Sequence, residues 1–146
     1  MSKDLFSEKT KHYLREVMRN RNLAKFGDAL VNFIYSLAKT KVFDKPVGER
    51  VYDKALSEAV RDAGLRSLMP SSSSAGEVGD GAEALVGHSF LKGIFTIEEL
   101  TAILESSIQK YTLENFEKRS KEREIMTKAL SKLLIEIINR ILETVS

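Results

Sequence analysis

Three acids stand in surroundings unusual for a charge: Asp28 in FGDALVNFIYSLA, and Asp80 with Glu83 in GDGAEALVGHSFL. An ionised carboxylate beside a largely apolar helix is costly to bury alone. Such a group is paired with a cation, hydrogen-bonded, or used to hold a metal through oxygen. Two helices that each present an isolated acid near a glycine could bring the three together, and Gly27 and Gly87 would permit the close approach because they remove side-chain bulk at the contact. Structural roles compete with this reading. Asp80 followed three residues later by Glu83 has the spacing of a capping box, and Asp28 has Lys25 nearby as a cationic partner. Capping and ligation are compatible roles for the same carboxylates.

The remaining chemistry is narrower. The chain has no cysteine, which excludes a disulfide framework, a thiolate metal site and a cysteine nucleophile. His88 lies five residues after Glu83, on a different helical face, and reads as a packed or surface histidine; His12 sits among basic residues. The run Ser71 to Ser74 has no accompanying base in a recognisable arrangement, so a serine nucleophile is not indicated. Gly76, Gly79 and Gly81 lack the lysine and the spacing of a phosphate-binding loop and read as loop flexibility.

The elements that must position these acids are helical. Only Pro46 and Pro70 interrupt the chain, and apolar residues recur three and four apart. A first helix is expected from Glu8 to Val17, with Lys11, Arg15 and Arg19 on one face. A second runs from about Asn22 to Thr40 on a stripe of Leu23, Phe26, Leu30, Phe33, Ile34 and Leu37. A third covers about Glu49 to Asp62 and stops at Gly64. After a short piece ending at Pro70, SSSSAGEVGDG reads as a flexible surface loop of roughly ten residues leading into an apolar helix from Ala82 to Leu91. Thr96 with Glu99 caps a helix through about Gln109. The last segment, about 112–144, carries apolar residues nearly all round its second half, and needs cover from more than one neighbour. No internal repeat and no strand-like alternation is evident, so the expected fold is all-α, one domain over residues 1–146.

With 42% apolar and 30% charged residues the chain is too hydrophobic for intrinsic disorder. The net charge of +2 is unevenly spread: residues 1–25 carry +4, residues 67–116 carry −5, and residues 117–146 carry +2. Basic ends around an acidic middle suit a polyanion-binding protein with a cation site, and a solvated helical surface produces similar numbers. No window approaches roughly 18 uninterrupted apolar residues, and MSKDLFSEKTK has no apolar stretch behind its charges. The expectation is therefore no leader, no membrane span and a cytoplasmic location.

Two segments together, LAKFGDALVNFIY over 23–35 and GDGAEALVGHSFL over 79–91, resemble the two signature helices of the ribonuclease III endonuclease domain, with KALSEAVRDAGLRSLM between them resembling the family's intervening helix. The resemblance covers about residues 15–95. A lone Gly-Asp or Glu-Ala-Leu would carry little weight; both in order, with a helix and loop between, are more specific. The chain is too short for a second, double-stranded-RNA-binding domain, and LAKFGDA is similar to the compact mini-ribonuclease III branch.

That resemblance implies a compact helical endoribonuclease that hydrolyses phosphodiester bonds in double-stranded or structured RNA, working as a homodimer. It assigns Asp28, Asp80 and Glu83 as catalytic ligands of Mg²⁺, for which Mn²⁺ may substitute, and places Arg21 and Lys25 on the RNA backbone. Two positions depart from the family pattern. Ala24 stands where the family usually has a glutamate, leaving Glu49 and Glu77 as possible replacements. Lys25 stands where the larger enzymes place an aromatic that enters the partner subunit, which makes the C-terminal helix the candidate dimer contact. A catalytically silent relative that binds structured RNA is the alternative. An all-helical nucleotide pyrophosphohydrolase would show denser glutamate pairs than this chain does.

Overall fold

The computed structural model describes residues 6–145, so the first residues of the segment on which the no-leader expectation rests lie outside it. Within that range the chain forms six α-helices and two 3₁₀ turns, with no strand among the described residues. They are α1 (Glu8–Met18), α2 (Arg21–Phe43), α3 (Asp53–Asp62), α4 (Ala75–Leu91), α5 (Ile97–Ile108) and α6 (Arg119–Val145); the 3₁₀ turns are Arg66–Leu68 and Leu113–Phe116. The all-α expectation holds, and no helix among the described residues is long and apolar enough to cross a membrane.

Helix α4 is the hub. It packs most extensively on α2, then on α3, and also touches α1 and α6. A helix surrounded in this way exposes little beyond its first turn, Asp80 and Leu91, so most of its sequence is small and apolar: Val78, Ala82, Ala84, Leu85 and Val86 are all buried. Burying a side chain such as Leu85 contributes roughly 1.5–3 kcal/mol. The close α2–α4 contact expected from the glycines is present. A Cβ on Gly27 would overlap the carbonyl of Glu83, and one on Gly87 would stand 3.1 Å from the carbonyl oxygen of Leu23.

The start of α4 differs from the sequence expectation. Residues 71–81 are not one flexible loop, because the helix begins at Ala75 with Ser74 as its cap. Gly79 and Gly81 are buried, the first against Leu56 of α3 and the second against Met18 and Met69, so they serve packing rather than loop flexibility. The capping box belongs to Ser74 and Glu77: Ser74 Oγ accepts from Glu77 N and Glu77 Oε1 accepts from Ser74 N. Asp80 and Glu83 therefore lie inside α4 and cap nothing. By contrast, the Thr96–Glu99 box opens α5 as its spacing predicts, and Gly64, at φ 79°, ends α3.

The C-terminal segment is two elements rather than one helix over 112–144: the 3₁₀ turn Leu113–Phe116 precedes α6. The broad apolar surface of α6 is covered from several sides, as its width requires, by α3, α5 and α4. Met126, Leu133, Ile137 and Ile141 are wholly buried, which leaves little of that surface for a partner subunit. A polar tie joins α6 to α2. Buried Lys39 donates to Glu122 Oε2 at 2.7 Å, and Tyr35 Oη donates to the same oxygen at 2.8 Å. The Lys39 ammonium also sits 4.5 Å from the centre of the Phe116 ring.

Candidate functional site

The α2–α4 crossing sets the site. Because Gly27 abuts the Glu83 backbone, the next residue on α2, Asp28, comes alongside the Glu83 side chain. Both line a cleft of about 690 Å³, together with Asp80 from α4 and Asp53 from the first turn of α3. Cations rim the same cleft: Arg19, Arg21 and Lys25 around the α1–α2 junction, and Arg50 from the segment before α3. The three acids singled out by sequence and the two expected RNA-binding residues are thus gathered in one place.

Each acid has a distinct environment. Asp28 is half-exposed, accepts a hydrogen bond from Asn32 Nδ2 at 3.3 Å, and lies 3.6 Å from the Arg50 guanidinium. Lys25, the partner suggested by sequence, does not pair with it. Asn32 also accepts from the Val51 backbone N–H at 2.7 Å, so one amide side chain orients Asp28 and pins the approach to α3. Glu83 is only 7% exposed and has no ion pair among the described residues. Burial, then its contact with Asp28, then the charges of Asp28, Asp80 and Asp53 push its carboxyl up to about 8. Asp80 is raised in the same direction, by desolvation first and then by Asp53, Asp28 and Glu77, with Arg21 opposing.

The donor set fits a hard cation: several carboxylates share one cleft, and their mutual repulsion is the condition a divalent ion relieves. No three of the described acids and histidines already enclose a single metal-sized position. Of the three acids singled out by sequence, Asp28 and Glu83 are joined by a side-chain hydrogen bond. Asp28, Asp80 and Glu83 would hold such an ion.

Sequence reasoning missed Asp53, Arg50 and Asn32. Asn32 had a signal, its position four residues after Asp28 on the same helical face. Nothing local distinguishes Asp53 from Asp62 at the other end of α3. Of the two glutamates considered as replacements for the one absent at Ala24, Glu49 is paired with Lys39 and Glu77 is engaged in the α4 cap. His88 is buried, as the packed reading has it, and its Nε2 hydrogen-bonds Tyr13 Oη of α1.

Comparison with known families adds an independent line. The Ribonuclease III family profile matches residues 21–143, well beyond the 15–95 stretch that carries the motif resemblance and including all but the last residues of α6. A search of curated proteins gives no match. With a match across most of its 146 residues and an all-helical fold that brings both signature helices to one cleft, the chain belongs to the ribonuclease III family.

Proposed function

We propose that this protein is a metal-dependent endoribonuclease that cleaves double-stranded or structured RNA. Family membership supports endoribonuclease activity on RNA. The observation that carries the finer reading is the meeting of Asp28, Asp80 and Glu83 in one cleft rimmed by Arg19, Arg21, Lys25 and Arg50. Mg²⁺, or Mn²⁺ in its place, would be held by the three acids and would supply an activated water and charge stabilisation for phosphodiester hydrolysis. The rest falls to the chain itself. Arg21 and Lys25, both exposed at the mouth, attract and position the phosphate backbone. Arg50, now near Asp28, is placed to neutralise the acids until RNA and metal arrive. Buried Glu83 presents its carboxyl from a fixed helix rather than a mobile loop.

A duplex has two strands, so a two-fold dimer with one cleft per subunit accounts for paired cuts. With the apolar face of α6 used internally, the exposed apolar residues Phe26, Phe33 and Leu91 on α2 and α4 are the surface for a second copy. Phe26 stacks on Phe90, which ties the two helices together there.

The test is cleavage of a labelled double-stranded RNA with Mg²⁺ or Mn²⁺, comparing wild type with Glu83→Ala. Metal-dependent cleavage by wild type alone is the expected outcome. The silent alternative is favoured by one observation, the methyl of Ala24 at the cleft wall. It predicts RNA binding without cleavage in both proteins.

A further inference from the structure

One acid in the cleft has no role in the reading above. Asp53 is the first residue of α3, is exposed, and makes no hydrogen bond or ion pair among the described residues. Its placement follows from packing. The start of α3 lies on α4 at Gly79, where a Cβ would stand 3.3 Å from Leu56 Cβ and 3.7 Å from the Asp53 carbonyl oxygen. Asp80 is the next residue along α4. The α2 wall contributes Ala24, which offers no oxygen, while Glu49 is held by Lys39 and Glu77 by the Ser74 backbone. Glu83, more than nine-tenths buried, faces the same cleft with no cation within ion-pair reach among the described residues. The cleft thus contains a buried acid lacking a counter-charge and one uncommitted carboxylate beside Asp80.

We infer that Asp53 is a further ligand of the metal site, supplying from α3 the carboxylate oxygen that α2 lacks at Ala24. The inference rests on the proposed function, since it assumes that the cleft takes a divalent ion. It also gives the site three supporting helices rather than two, so the approach of α3 to α4 at Gly79 becomes part of the binding geometry.

Mn²⁺ binding to the full chain without RNA, followed by loss of the free-ion EPR signal, gives a readout independent of cleavage. The proteins are wild type, Asp53→Asn, Asp53→Glu, Glu83→Gln and, as a control, Asp62→Asn, an exposed acid at the other end of α3 that lines a different groove. Wild type and Asp62→Asn are expected to bind alike, Glu83→Gln to lose binding, and Asp53→Asn to bind about 10-fold or more weakly, or one ion fewer, with Asp53→Glu recovering part of the loss. Thermal melts check that each variant folds. Wild-type affinity and stoichiometry in Asp53→Asn, alongside loss in Glu83→Gln, would overturn the role of Asp53 and leave the site standing; a change confined to melting would reduce Asp53 to a helix-start residue. Absence of Mn²⁺ binding by wild type, or unchanged binding by Glu83→Gln, would remove the proposed site and the inference together.

Discussion

Gly27 and Glu83 touch through their backbones: there is no room for even a methyl group on Gly27 against the Glu83 carbonyl. This contact aligns the two signature helices and sets Asp28 beside Glu83. The opposing atoms are main chain, so the clash cannot be relieved by a side-chain rotation. Gly27→Ala is expected to destabilise by about 3 kcal/mol or more and to abolish cleavage. Gly87→Ala, whose nearest contacts are 3.1–3.3 Å, should cost less. Denaturant melts of both variants check the order; equal stability of Gly27→Ala and wild type would mean that α2 and α4 are not this close.

The Lys39–Glu122 pair carries a different kind of prediction. Both side chains are buried, at 4% and 7% exposure, and Tyr35 donates to the same Glu122 oxygen. Burial and the nearby Glu122 charge keep the Tyr35 phenol protonated, so it stays a donor. Removing the lysine alone leaves Glu122 buried with one neutral partner, so Lys39→Met should cost about 3–5 kcal/mol. Lys39→Met combined with Glu122→Leu should cost clearly less than the two single changes added. A double-mutant cycle by urea unfolding measures the coupling, and additive losses would show that the pair is not acting as a unit.

How much of this was legible in the sequence depends on whether a residue's role is local. The Thr96–Glu99 cap, the Gly64 stop and the glycine contact between α2 and α4 follow from spacing and residue type, and each is present. The α2 stripe is only partly the buried face: Leu30 and Ile34 are buried with Val31, Tyr35 and Ala38, while Phe26 and Phe33 are exposed. The start of α4 is not legible locally, because four serines and three glycines have the composition of a loop. Burial of Gly79 against Leu56 and of Gly81 against Met18 and Met69 overrides their poor helix propensity. The Ser74–Glu77 box was hidden by the second pair with the same spacing, Asp80 and Glu83. Asp53 and Arg50 reach the cleft only because α3 folds back onto α4, a long-range event with no sequence period.

Electrostatic attraction at the mouth of the cleft is expected to make RNA binding salt-dependent. Arg21 and Lys25 are exposed and line the cleft, so each is expected to contact phosphate rather than a base edge. In a cleavage-deficient Glu83→Ala background, adding Lys25→Ala or Arg21→Ala should weaken duplex binding similarly for unrelated sequences. Each should also reduce the slope of log affinity against log salt by about 1. Fluorescence anisotropy at several salt concentrations measures both quantities. An unchanged slope would place the RNA elsewhere on the surface.

The protonation of Glu83 links stability to pH. Its carboxyl is pushed up to about 8 in the folded chain, from 4.5 when free. Below about pH 4.5 it is protonated in both states and contributes nothing to the difference. Between that point and about pH 8 the unfolded chain has lost its proton and the folded chain retains it, so the folded state is progressively penalised as pH rises. Above about pH 8 both are ionised and the loss levels off at a few kcal/mol. In EDTA, the wild-type melting temperature should therefore fall from about pH 5 to about pH 8, while Glu83→Gln, which cannot ionise, should show a flatter profile and be the more stable protein at the alkaline end. Adding Mg²⁺ at about pH 8 should restore the wild type and leave Glu83→Gln nearly unmoved, because an ion that offsets the Glu83 charge gains nothing from an amide. Differential scanning fluorimetry across this range, with and without Mg²⁺, makes the measurement. The same pH slope in wild type and Glu83→Gln would assign the dependence to another group.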